Sequence, residues 1–173
     1  MNSAITLVNY GQPEDYKKAK TEFIVFVKEG EKYSPRVYDQ LLQVYRENPL
    51  FRKLSMVAPA ISTATSTFYG WTLTTPAIAS PKYTLSSTEP YAIQIGSITG
   101  SVIRRAALDR IDYKFTGNRL ADSTAFSIAL WESGQMCYMA PSVIEKGANT
   151  LDMPVPVIVS QATQKLFKRE MIG

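Results

Sequence analysis

Asp109 and Asp112, three residues apart, come nearest to an acid–base pair by type and spacing. On a helix they would be neighbours on one face, and proton-transfer chemistry needs two such groups within reach of one substrate. Arg105 and Arg110 flank them, so an ion-paired surface is the simpler reading. A small enzyme built on these carboxylates would need a deep pocket around them. The rest of the catalytic vocabulary is absent. Histidine does not occur, which removes the commonest general base and metal ligand together. The single Cys137 lies in Met136-Cys-Tyr-Met139, where it reads as a strand residue. It has no partner for a disulfide and points to a reducing compartment. No glycine-rich phosphate loop, dinucleotide fingerprint, zinc-spaced cysteine pair or nucleophile elbow is present. These residues imply no cofactor and no metal, and the chain reads as nonenzymatic.

Charge points instead to binding. The net charge of +4 favours acidic partners. No Asp or Glu occurs between Glu47 and Glu89, and Arg52, Lys53 and Lys82 fall inside that interval. The other cations come as scattered groups: Lys17, Lys18 and Lys20; Arg104 and Arg105 with Arg110; Lys165, Lys168 and Arg169. This scatter suits weak contact with anionic membrane lipid, or with RNA nonspecifically, better than sequence-specific reading. Solvated linker and helix-end complementarity explain some of the same lysines. Ile5, Leu7, Val8 and Tyr10, with Ile78 in a proline-flanked loop, are candidates for self-association, the competing reading being that they fold back on their own domain. Tyr38-Asp-Gln-Leu41 matches a short sorting pattern, but it lies on an apolar helical stripe and is read as core.

These residues need elements to position them. A chain of 173 residues suits one domain. Residues 1–20, broken by Gly11-Gln-Pro13, read as a flexible N-terminal arm, and 21–173 as a single globular domain. Phe23-Ile-Val-Phe-Val27 is a central strand, apolar on both faces. Ser34 caps a helix with Pro35 at its first position. Val37, Tyr38, Leu41, Leu42 and Tyr45 form its apolar stripe, and it ends before Asn48-Pro49. A short second helix is expected next, with Leu50, Phe51 and Leu54 inward and Arg52 and Lys53 outward.

Strands are expected over 65–74 and 91–98, with a surface loop over 76–81. Residues 100–112 suit either helix or extended structure, the extended reading being preferred. Residues 125–131 and 136–139 read as a hairpin turning at Gly134. An edge strand over 153–159, limited by two prolines, and a final helix over 161–171 complete the chain. The fold class is α+β: a twisted, mainly antiparallel sheet with two or three helices on one face. No apolar run approaches the ~20 residues that span a bilayer, so the chain is expected to be soluble, with any membrane contact peripheral.

Over residues 21–60 the order of features resembles the central domain of rhabdovirus matrix proteins. The apolar aromatic strand leads through a charged turn to an amphipathic helix, then to Pro49-Leu-Phe-Arg-Lys-Leu54 and a Ser/Thr-rich stretch ending near Thr75-Pro76. The chain length is similar to that of the compact, plant-virus members. Neither a Pro-Pro-x-Tyr nor a Pro-Ser/Thr-Ala-Pro budding motif occurs. The resemblance implies a matrix protein of the virion and host cytoplasm, peripheral to membranes. Its partners would be copies of itself, the viral nucleocapsid and the inner leaflet, with Lys17, Lys18 and Lys20 carried over as contacts. The alternative is another β-rich viral structural or movement-type nucleic-acid-associated protein.

Overall fold

A computed structural model describes residues 4–28, 34–48, 52–74 and 78–146. The chain is α+β, and its organising element is the strand that the sequence marked. Phe23–Val27 (β2) alternates its side chains between two cores. Phe23 and Val25 face one way and pack with the helix Pro35–Glu47 (α1). Ile24 and Phe26 face the other way, toward the helices Arg105–Ile111 (α2) and Arg119–Glu132 (α3). Helices therefore cover both faces of the sheet, where two or three helices on one face were expected. A strand apolar at every position requires this, since each exposed Val or Phe would forfeit about 1.5–3 kcal/mol of burial.

The seven-stranded sheet takes the order β1-β2-β8-β3-β9-β7. Its members are Ile5–Asn9 (β1), β2, Leu54–Ser62 (β3), Thr67–Phe68 (β4, paired to β3), Tyr91–Ala92 (β7), Val102–Arg104 (β8) and Met136–Lys146 (β9). Trp71–Thr74 (β5) and Ile78–Pro81 (β6) form a separate antiparallel pair. Four junctions of the large sheet are antiparallel, while β1/β2 and β3/β9 are parallel. The β3/β9 register shifts between Pro59 and Ala60, beside Pro59 and Pro141, neither of which has an N–H for the ladder.

Helix α1 forms as its sequence dictates. Ser34 Oγ accepts from the Arg36 N–H at 3.3 Å, and Pro35 opens the first turn. Val37, Tyr38, Leu41, Leu42 and Tyr45 are buried beneath it, so the sorting pattern at Tyr38 is core.

Several expectations are corrected. Residues 5–9 are not an arm: β1 runs parallel to β2, and Pro13–Lys18 forms a 3-10 helix with Tyr16 buried. Where the second helix was expected, Arg52 and Lys53 form a turn and Leu54 already starts β3; residues 49–51 lie outside the described residues. Residues 100–112 split into strand β8 and helix α2, closed by Asp112 in the left-handed region at φ 49°. Of the strand expected over 91–98, only Tyr91–Ala92 pairs as a strand, joined by an isolated bridge at Ile95. The proline-flanked stretch contributes β6.

The expected hairpin is a helix followed by a strand. Asn118 Oδ1 accepts from the Ala121 N–H at 2.9 Å and caps α3. Gly134, at φ 82°, then turns the chain into β9. The edge strand at 153–159 and the helix at 161–171 lie outside the described residues.

Candidate functional site

Two polar assemblies stand out. The first surrounds Asp122, in the first turn of α3 and wholly buried. Its Oδ2 accepts from the Tyr10 hydroxyl at 2.5 Å and the Gly117 N–H at 3.2 Å. Its Oδ1 accepts from the Tyr113 hydroxyl at 2.8 Å, the Thr116 hydroxyl at 2.8 Å and the Thr116 N–H at 2.9 Å. Five donors saturate the roughly four lone-pair sites of a carboxylate. Burial, and then the hydrogen bond to Asp122, holds the Tyr10 and Tyr113 phenols well above their ordinary range. The assembly ties the end of β1, the 113–117 loop and α3 into one unit.

The second assembly is a cavity of about 320 Å³ beside the β5–β6 pair. Tyr69, Trp71, Lys82 and Tyr91 line it, with Thr72, Gln94 and the hydroxyls of Ser86 and Ser87. The pairing of β5 and β6 continues past the strands: the Tyr69 N–H donates to Lys82 O at 2.7 Å and the Lys82 N–H to Gly70 O at 2.9 Å. Lys82 is thereby set opposite the aromatic wall, with its Nζ donating to Ser86 Oγ and lying 5.8 Å from the centre of the Tyr91 ring. Gln94 accepts from the Leu73 N–H at 2.8 Å through its amide oxygen. Trp71 is 2% exposed, packs edge-on to Phe68 at 5.1 Å, and has an indole N–H without a hydrogen-bond partner. A buried donor left so is uncommon and calls for a ligand or water.

The expected contact residues are dispersed. Ile5, Val8 and Tyr10 are buried in the chain's own core, and Leu7 is 38% exposed. Ile78 opens β6, paired with Thr74 rather than standing in a loop. Lys17 pairs with Glu14 at 2.9 Å and Lys18 with Asp15 at 3.3 Å, which neutralises much of that cluster; Lys20 is exposed.

Arg104 serves the fold. Its guanidinium bonds Glu22 at 2.9 Å and Leu54 O at 3.2 Å, and lies 5.4 Å from the ring centres of both Phe23 and Tyr45. Arg105 pairs with Asp109 at 3.1 Å, and Asp112 with Lys114 at 3.6 Å, as an ion-paired surface requires. Arg52 and Lys53 are exposed in their turn. Arg110 approaches that turn through Gln135: with its amide oriented to donate to Lys53 O at 3.2 Å, Gln135 accepts from Arg110 Nη1 at 3.2 Å. Lys165, Lys168 and Arg169 lie outside the described residues.

Neither assembly was singled out by motif reasoning. The partners of Asp122 are spread from Tyr10 to Gly117, and the cavity draws on the Ser/Thr-rich stretch, where aromatics interleaved with hydroxyls were the available signal.

No family model and no curated protein matches the chain. Among solved structures, the chain is similar to GalNAc-T7 with UDP, GalNAc and Mn2+, with a TM-score of 0.59 at 11% identity. The match covers 82% of this chain and 30% of that one, so this chain spans less than a third of the protein it matches. At that identity the likeness is one of fold. A manganese ion would need several hard oxygen ligands. Among the described residues no group of three His, Cys, Asp or Glu gathers, and Asp122 has its lone pairs occupied. No helix among the described residues is long and apolar enough to cross a membrane.

Proposed function

We propose that this chain is a carbohydrate-binding domain built on a glycosyltransferase-type fold, taking a sugar or sugar nucleotide as its ligand. One observation carries the reading: 82% of the chain follows the fold of 30% of a protein whose structure holds UDP and GalNAc. The cavity beside β5 and β6 supports it. Pockets for small ligands begin near 300 Å³ and combine apolar walls with a few placed polar groups, and this one offers aromatic faces, three hydroxyl residues, an amide and an ammonium. Saturation-transfer NMR with UDP, UDP-GalNAc and GalNAc, each with and without Mn2+, tests the reading. Transfer to sugar or nucleotide protons is expected, and its absence for all three sinks the proposal. UDP release from UDP-GalNAc reports separately on catalysis.

A second reading, a nonenzymatic viral matrix protein peripheral to membranes, is favoured by the exposed Arg52 and Lys53 in an interval free of carboxylates. It expects self-association that weakens with salt and pelleting with anionic vesicles. A protein that stays monomeric at low salt and ignores acidic lipid and RNA alike excludes it.

A further inference from the structure

The cavity between the β5–β6 pair and β7 has an uneven charge. Among the described residues its lining carries one cation, Lys82, and no carboxylate. Lys82 is half-buried, and no described ion pair takes up its charge; the hydroxyl of Ser86 is its neutral partner. An ammonium so placed attracts an anion more strongly than one in open water, because the surrounding dielectric is lower. The ammonium stands over the Tyr91 ring, 5.8 Å from its centre, and Trp71 adds a buried N–H with no partner among the described residues.

We propose that this cavity selects an acidic monosaccharide, a pyranose bearing a carboxylate. The carboxylate pairs with Lys82 Nζ, the sugar ring packs on Tyr91 and Tyr69, and a ring hydroxyl accepts from Trp71. The proposal rests on the carbohydrate reading and adds the substrate class and the residue that sets it. The volume of about 320 Å³ suits a single ring rather than a longer glycan. Selectivity follows from the cation, because a neutral sugar would leave the ammonium bonded only to Ser86.

The test is a titration of the 15N-labelled full chain with glucuronic acid, glucose and UDP, followed by amide shifts. Glucuronic acid is expected to move the amides of Thr72, Lys82 and Ala92 and to bind at least about tenfold more tightly than glucose, which corresponds to about 1.4 kcal/mol. Lys82→Gln should abolish the preference and Lys82→Arg retain most of it, both with otherwise unchanged spectra. Equal binding of the two sugars, or a preference that survives Lys82→Gln, overturns the proposal. If glucose or UDP moves amides elsewhere and glucuronic acid leaves the cavity untouched, this inference falls and the carbohydrate reading stands. If no ligand moves any amide, this inference falls, and the carbohydrate reading is decided by the UDP-GalNAc and GalNAc measurement.

Discussion

The Tyr10 hydroxyl donates to Asp122 Oδ2 across 2.5 Å, joining the residue after β1 to the first turn of α3 from 112 positions away. This contact, with the β1–β2 pairing, makes the expected arm part of the domain. Hydrogen bonds to a charged group contribute about 1.5–3 kcal/mol each, and a buried donor left without its acceptor costs a similar amount. Tyr10→Phe is therefore expected to destabilise by about 2 kcal/mol. Asp122→Ala, which strands several donors at once, should cost at least about 3 kcal/mol. Urea denaturation followed by circular dichroism measures both, and a loss below about 1 kcal/mol for Asp122→Ala would show that the assembly is not a structural tie.

Stability should fall at alkaline pH. Burial raises the Tyr10 and Tyr113 phenols and pushes the Cys137 thiol up to about 12. A group whose folded pKa is raised contributes fully below its unfolded pKa, and the contribution is lost as pH rises through the folded value. For Cys137 that window opens near the unfolded thiol value of about 8.5 and closes at about 12. Within it one retained proton gives a slope of the order of 1 kcal/mol per pH unit. Cys137→Ala should flatten the stability profile between pH 9 and 11, and an unchanged slope would contradict the assignment.

Gly96 is held to glycine by space. A Cβ there would meet Cys137 Sγ at 3.0 Å and Ala58 Cβ at 3.2 Å. Overpacking of this kind costs about 1–3 kcal/mol. Gly96→Ala should destabilise within that range, and Cys137→Ala in the same chain should recover part of the loss. A double-mutant cycle with no coupling would rule out the clash as the cause.

The capping of α3 is open to a direct check. Asn118→Ala removes the acceptor for the Ala121 N–H and should cost about 1 kcal/mol, whereas Asn118→Asp should cost less. Equal losses would mean that the cap is not what the side chain supplies.

Basic residues should divide into two behaviours. Arg104→Met removes a guanidinium bonded to Glu22 and Leu54 O and seated over two rings, and should lower stability by about 1–2 kcal/mol. Arg52→Glu with Lys53→Glu should leave stability within about 0.5 kcal/mol. If the matrix reading holds, that pair also abolishes vesicle pelleting at low salt. Vesicle binding unaffected by the pair would place any membrane contact elsewhere.

The layout from Phe23 to Glu47 was legible because burial and capping speak through the same residues there. An unbroken apolar strand demanded two covered faces, and Ser34-Pro35 announced the helix. Helix α3 was illegible for a physical reason: its core-facing stripe includes Ser123 and Ser127, which hydrophobicity cannot mark as inward. Ser123 Oγ accepts from the Ile98 N–H at 2.8 Å and Ser127 Oγ from the Gly96 N–H at 3.2 Å, so both serve the irregular 93–100 backbone instead of adding apolar area.

With those serines discounted, the apolar run at 125–131 ahead of Gly134 read as one arm of a hairpin. Asp122 was invisible because its meaning lies in partners far off in sequence. The cavity was half legible: Tyr69, Trp71, Lys82 and Tyr91 were present as types, but only the β5–β6 pairing brings Lys82 to the aromatic wall.

The strand order has a consequence for how the chain comes to be folded. Strand β8 lies between β2 and β3, and β3 finds its longest partner in β9. A growing chain can pair β1 with β2 early, but β2 and β3 keep open apolar edges until residues 102–104 arrive, and β3 waits longer still, for residues 136–146. Contacts so distant in sequence slow folding and leave strand edges available for wrong partners. During synthesis the vulnerable segment is therefore β3, Leu54–Ser62, and a chain released before β9 is made would expose it.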